Sequence, residues 1–247
     1  MLAAVLVFIF SYFWHGFGVT IGYHRLITHH SFRCPKWIEY AFVLPGYLAF
    51  EGTPIWWAAI HRAHHRHSDT DLDPHSPRHG KRWAYFGWIF KPDPAYLNLR
   101  ADCPDLYKDK LYAFMQRGDD PLMLAVNLAF RGLLWLLFGW QVALASLMAG
   151  LVVLQMPLIL NTVCHLPGQG YKTYDTKDDG VNVWWLGYLV GGEGWHNNHH
   201  AFPGSARQGF KASEYDLSWE LIKILKMIGL ATNVNLPPPD KIIEYKP

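Results

Sequence analysis

The chain has few cysteines: Cys34, Cys103 and Cys164 are scattered through 247 residues and form no Cys-x-x-Cys pair. That excludes a disulfide framework or a zinc knuckle. All three lie in or beside segments read below as cytosolic, where thiols stay reduced. Charge is also sparse. Only 17% of residues are charged and the net charge is +2, too weak a field to argue for nucleic acid as a partner. There is no glycine-rich dinucleotide fingerprint. No basic stretch precedes the apolar start, and no small-residue cleavage site follows it, so residues 1–21 make a poor signal peptide.

Greasy and aromatic residues, and histidine, are abundant. Apolar residues make up 51% and aromatics 16%, with 12 Trp and 14 His. Apolar blocks alternate with very polar ones, which is a membrane pattern. A span needs about 20 apolar residues at roughly 1.5 Å rise each. Residues 1–23, 122–138 and 142–163 meet that length, and the short Gly139-Trp140-Gln141 link makes the last two an antiparallel hairpin. Residues 38–50 are broken by Pro45 and Gly46, and 184–194 are too short to cross, so both are expected to be interfacial or re-entrant. Residues 56–68 read as a helix, 69–91 as a polar loop, and 210–230 as an amphipathic helix before a proline-rich tail. Segments 61–120 and 165–247 are expected in the cytosol. The expected fold is all-α: one domain over 1–247, an integral membrane helical bundle with a cytosolic helical cap. Arg131, in mid-span, is expected to pair inside the bundle.

The histidines are clustered. His24, His29 and His30 form one group, His61, His64 and His65 a second, and His196, His199 and His200 a third, with His165 alone. Imidazole is neutral near pH 7 and ligates iron, copper and zinc. On a helix, i, i+3 and i+4 share a face yet diverge enough for one triplet to serve two neighbouring metals. The five-residue step from His24 to His29 suits a helix end whose last turn unwinds. His15, His67, His75 and His79 are read as structural. So many imidazoles exceed one four-coordinate zinc site; two non-haem irons fit the count, and copper stays open on ligand type. Arg25, Arg33, Lys36, Arg62, Arg66, Arg78, Lys81 and Arg82 flank the clusters, which places that face in the cytosol by the positive-inside rule. The expected setting is a bacterial inner membrane, or an endoplasmic-reticulum or thylakoid membrane.

His24-Arg-Leu-Ile-Thr-His29, His61-Arg-Ala-His64-His65 and Gly192-Glu-Gly-Trp-His196-Asn-Asn-His199-His200-Ala-Phe-Pro resemble the membrane fatty acid desaturases of the Δ9 group, stearoyl-CoA desaturase-like and bacterial or cyanobacterial acyl-lipid. Asp73-Pro-His75 and Asn161-x-x-x-His165 match as well, and the likeness runs over about residues 20–236. The resemblance implies an O2-dependent di-iron enzyme that removes two hydrogens from a saturated acyl chain to leave a cis double bond. It implies one iron on His24, His29, His61, His65 and His200, and another on His64, His165, His196 and His199, with Asn161 holding a water near the second. His30 stands where the family usually has Arg and is not counted. Glu193 and Asp69 are expected to orient imidazoles. Trp56, Trp57 and Glu51 align with the region that kinks the acyl chain. Gly52 and Ala59 replace the Asn and Arg that meet CoA in the animal enzymes, which leans toward an acyl chain on a membrane lipid. The family carries a further span before the first box that this chain does not include. Electrons are expected from a separate acidic carrier, ferredoxin or cytochrome b5, docking on the basic face. Two rivals stay open: a hydroxylase on the same centre, and a non-catalytic metal-binding membrane protein.

Overall fold

The computed structural model describes residues 2–91 and 94–242. The first residue of the expected first span and the last five of the proline-rich tail lie outside the described residues. Helix α1 (Leu2–Phe17) continues without a break into a wider, π-helical run over Gly18–Thr28. Two bundle partners follow much later in the chain. Helix α6 (Lys110–Phe138) bends at Asp119, just before Pro121, and α7 (Trp140–Val163) returns after a tight turn at Gly139, φ 88°. Three stretches are long and apolar enough to cross a membrane: Leu2–Thr28, Lys110–Phe138 and Trp140–Val163. They coincide with the three expected spans, extended at their polar ends.

Lipid in place of water reverses the usual polarity of a bundle. Leu2, Phe10, Leu128, Leu136 and Met148 point outward, while Ser11, His15, Asn127, Arg131 and Ser146 are buried. Arg131 stays inside, as expected. It donates to Asn127 Oδ1 at 2.7 Å and to the Leu48 carbonyl at 2.6 Å, and its guanidinium lies 5.3 Å from the Phe50 ring. A cation in hydrocarbon persists only with such partners.

Helix α2 (Lys36–Tyr47) lies against α1 and carries Pro45 within it. Helix α3 (Pro54–His67) begins where Thr53 caps it and Pro54 presets its first turn. Short helices α4 (Lys81–Tyr85) and α5 (Leu99–Asp102) follow, and then α8 (Trp184–Leu189) and α9 (His196–Ala201) after α7. Helix α10 (Leu217–Met227) starts seven residues later than the amphipathic pattern suggests. The reason is local: Asp216 caps Trp219 N, and Glu214 folds residues 210–214 into a turn by accepting from Phe210 and Lys211 N–H. Among the described residues there is no strand, only isolated bridges such as Tyr171 with Asn182.

The approach of α2 to the π-helical run is backbone-close. A Cβ on Gly18 would sit 2.2 Å from Gly46 N, and one on Gly22 would sit 2.4 Å from Phe42 O. Only glycine permits this contact, which fixes the run that carries His24. Gly22→Ala is expected to force the two helices apart at a cost of about 1–3 kcal/mol. A lower unfolding temperature together with reduced bound metal would show that this packing positions His24; a lower temperature with full metal content would not.

Candidate metal centre

The first histidine box rests on the π-helical run. A π-helix closes hydrogen bonds five residues apart, and His29 N–H donates to His24 O at 3.1 Å. The His24 and His29 rings are thereby brought edge to face one turn apart, 4.8 Å between centroids. The helix end widens here rather than unwinding, which corrects the sequence expectation. His30 takes a left-handed backbone, φ 52°, and turns out to Asp105, 60% exposed and away from the cluster.

Two groups of imidazole nitrogens form. His24, His29, His61, His65 and His199 make one, and His64, His165, His196 and His200 the other, each with its ligand atoms within 4.8 Å of one another. This exchanges His199 and His200 relative to the sequence expectation. The geometry gives the reason. On a helix, i+4 lies ~40° from i, and i+3 lies ~60° to the other side. His61 and His65 stay together, as do His196 and His200, and the i+3 members His64 and His199 cross over. Each short helix therefore gives two ligands to one group and one to the other.

The ring nitrogens face one another at close range. Nε2–Nε2 distances are 3.0 Å for His24–His199, 3.1 Å for His61–His65 and 2.9 Å for His65–His199. In the second group they are 2.9 Å for His165–His196 and 3.0 Å for His196–His200. The opposite nitrogens are held by carboxylates: His64 Nδ1 by Asp73 at 3.0 Å, His165 Nδ1 by Asp69 at 2.7 Å, His200 Nδ1 by Asp178 at 3.0 Å and His24 Nδ1 by Glu193. A carboxylate only accepts, so it assigns the proton of a neutral ring to Nδ1 and leaves Nε2 as a bare lone pair. His29 Nε2 and His64 Nε2 are buried with no partner at all. Lone pairs converging this closely fit only around cations. The donor set thus suits two metal ions.

Electrostatics agree for six of the rings, whereas at His64 burial is outweighed by the Asp73 carboxylate, which raises the pKa. Burial, reinforced by neighbouring histidines, holds His29, His61, His65, His165, His196 and His199 well below the usual imidazole pKa, in the neutral form that binds metal. Burial opposes ionisation of Asp73 and Asp178, but His64 and His200 outweigh it and hold both carboxyls well below the usual range. Burial raises Asp69, which the Asp179 N–H steadies at 2.8 Å. Glu193 and Asp69 touch imidazoles as expected. Asp73 and Asp178 in this role escaped the sequence reading; Asp73 was signalled by the Asp73-Pro-His75 match, Asp178 only as a carboxylate in a polar loop. Glu193-Gly-Trp-His196 has the Glu-x-x-His spacing of carboxylate-bridged di-iron bundles. Its carboxylate instead serves His24 Nδ1 and Arg25, which it meets at 2.9 Å.

His75, read as structural, packs 4.4 Å from the His64 ring and groups with Asp73 beside it. Several of the basic residues flanking the boxes are not a free docking face. Arg25 is buried against Glu193 and Asp216, Arg62 binds Asp105, Arg66 binds Asp102 and Arg78 binds Asp179.

A cavity of about 840 Å³ runs from this centre between α6 and α7. His24 and His61 of the first group and His196 of the second line its inner end, with Asn161 nearby. Trp56, Trp57 and Glu51 line it too. Trp57 stacks on His61 and donates to Glu51 Oε2 at 3.2 Å, while Glu51 Oε1 has no partner. Burial pushes the Glu51 carboxyl well above its usual pKa.

The family model for fatty acid desaturases matches residues 1–217. The chain belongs to the fatty acid desaturase family. This desaturase is 43% identical over 222 residues to the sn-1 stearoyl-lipid 9-desaturase of Anabaena variabilis, covering 90% of this chain and 79% of the relative. It is 39% identical to the enzyme of the same name from Synechocystis sp., covering 90% and 69%, and 39% identical to the sn-2 palmitoyl-lipid 9-desaturase of Nostoc sp., covering 90% and 78%.

Outer carboxylates raise the donor strength of the imidazoles they hold. Asp69→Asn and Asp178→Asn are each expected to weaken metal binding at the second group about 10–100-fold. Competition against a chromogenic chelator measures this, with Asp179→Asn, whose side chain pairs with Arg78, as the unchanged control. Equal affinity in all three variants would remove the orienting role.

Proposed function

We propose that this desaturase introduces a cis double bond at C9 of a saturated acyl chain carried on a membrane glycerolipid, with the nine clustered histidines holding two irons. The observation that carries the reading is the meeting of one apolar cavity with both imidazole groups. An unactivated methylene offers no handle to acid–base chemistry, so a strong oxidant must be made beside it. The irons, with O2 and two external electrons, would supply that oxidising power: two C–H hydrogens and two further protons leave with both oxygen atoms as two waters. An all-imidazole set is neutral and leaves such ions highly charged, and iron accepts it well.

The chain's own residues do the selecting. Methylenes are chemically alike, so position along the chain is set by shape. Trp57 is fixed by its stack on His61 and its bond to Glu51, and forms a rigid wall beside the first group. Glu51, whose ionisation burial opposes, adds a polar point to the cavity wall. Asn161, four residues before His165 and on the wall of the cavity, would hold a water near the second group. The lipid-linked substrate is supported by the relatives' names and by packing. Ala59 is completely buried, and a Cβ at Gly52 would sit 2.9 Å from the Trp56 ring, so neither position can present a polar contact to a CoA head.

The centre is proposed to face the cytosol, where the flanking basic residues would keep it by the positive-inside rule. Two electrons would come from ferredoxin or cytochrome b5. With Arg25, Arg62, Arg66 and Arg78 committed to carboxylates, the exposed basic residues available for such docking include Arg33, Lys81 and Arg82. Turnover with ferredoxin should fall as salt rises, because exposed charges are screened over about 10 Å at 0.1 M. A flat salt profile counts against charge-guided docking.

The decisive test is expression in a host that lacks unsaturated lipids, followed by gas chromatography with double-bond location. A C9 cis double bond is expected, and hydroxylated chains or no new product would sink the reading. His64→Ala should abolish product while the protein still inserts into membranes; retained product would remove His64 from the ligand set.

A further inference from the structure

Residues 81–91 form the second half of the stretch expected to be a polar aqueous loop, but they do not behave as one. Helix α4 packs against α7 and is followed by a short 3-10 turn over Gly87–Phe90 that packs on α4. Tyr85 donates to Gln155 Oε1. Gln155 lies eight residues before the end of α7, so about 12 Å into the helix from its polar end. Tyr85 therefore sits alongside the apolar body of α7 rather than beyond its polar end. The segment's exposed residues agree: Phe86, Ile89 and Phe90 face outward, Phe90 with 78% of its surface open, and Lys81, Arg82 and Lys91 sit exposed at its two ends. Apolar side chains between basic flanks are the pattern of a segment lying in the headgroup boundary.

The same side chains also line the cavity. Phe86, Ile89, Phe90 and Leu124 are at once exposed on the outside and part of the cavity wall. These exposed apolar side chains bound the cavity here and suit contact with lipid. Above them, Lys91, Gln116 and Asp120 form a polar rim of the same cavity. A slot with a charged rim and a greasy lower wall matches a glycerolipid, polar head up and acyl chain down. Gly80, φ 108°, has open space around it at the start of the segment.

We infer that residues 81–91 are a lateral lip, latched by Tyr85 to Gln155, through which the acyl chain of a bilayer glycerolipid enters the cavity sideways without leaving the membrane. The inference rests on the acyl-lipid reading above. It commits to a lipid already in the leaflet; a thioester arriving from water is the outcome that would refute it.

The test uses the full chain in phospholipid nanodiscs containing a phosphatidylcholine with a diazirine in its sn-1 chain. Adducts are mapped by peptide mass spectrometry, a readout that needs no turnover. A Cys34→Ser background avoids labelling of the half-buried native thiol. Tyr85→Cys with Gln155→Cys, bridged by a cleavable thiol crosslinker, locks the lip. Adducts on Trp57 and Leu158 should fall at least tenfold when locked and return on cleavage. Unchanged adducts in the locked protein, or adducts only from a diazirine-bearing acyl thioester added in water, would overturn the inference. As a second measurement, a bimane on Phe90→Cys should be quenched by doxyl lipid and not by iodide; the reverse result would overturn it. Gated adducts without a C9 product would sink the function and leave the lip standing. A C9 product at full rate from the locked protein would sink the lip alone.

Discussion

Everything in this fold answers to one electrostatic constraint: nine imidazole lone pairs are held facing one another in two tight groups. Without cations that arrangement is repulsive, because carboxylates keep the proton of His24, His64, His165 and His200 on the far nitrogen, and His29 Nε2 is buried with no partner. The carboxylates Asp69, Asp73, Asp178 and Glu193 enforce it from outside by accepting from Nδ1. They come from loops and helix ends far apart in sequence, so the loops between boxes are part of the centre. The arrangement is uneven. Three carboxylates serve the second group, whereas the one serving the first is shared with Arg25.

The membrane explains why these pieces sit where they do. Charged outer partners cannot be carried into hydrocarbon cheaply, so the centre lies at the polar ends of the spans. The substrate cannot be carried into water cheaply either. The two meet where the π-helical run, α3, α7 and α9 converge, with the ionic shell on one side and the apolar cavity on the other. Trp57 marks the boundary: one face of its ring is against His61, and its N–H is spent on Glu51.

Much of this was legible in the sequence. The three spans are read from hydropathy because lipid demands long apolar runs. The boxes are read because ligand spacing is short-range, and all nine histidines outside His30 that were singled out do converge. The partition between groups was not legible. His199 and His200 are neighbours in sequence, and only the helix phase of α9 decides which group each joins. The π-helical widening was also hidden, since a five-residue spacing is compatible with unwinding as well as with a wider turn. The imidazole partners of Asp73 and Asp178 were missed because a carboxylate in a polar loop has no period to betray its partner, even where, as at Asp73-Pro-His75, the motif itself was noticed. Basic residues misled in the other direction: positive charge near the boxes was plain, but sequence could not show that Arg25, Arg62, Arg66 and Arg78 are each matched by a carboxylate.

Residues 81–91 show why composition alone fails at an interface. Averaged with Asp69–His79, the stretch reads as a polar loop. Taken by itself it has apolar residues at Trp83, Phe86, Trp88, Ile89 and Phe90 between basic ends. A segment that lies flat in the headgroup region needs no long hydrophobic run, because it crosses nothing. Its signature is a short greasy patch with cationic flanks, which a window sized for a spanning helix dilutes away. The packing of Tyr85 on Gln155 also accounts for a glutamine well inside an apolar span, since its amide oxygen accepts from the phenol and its nitrogen donates to the Leu151 carbonyl. A polar side chain at that depth is expensive unless matched, so the segment and the span stabilise each other's placement.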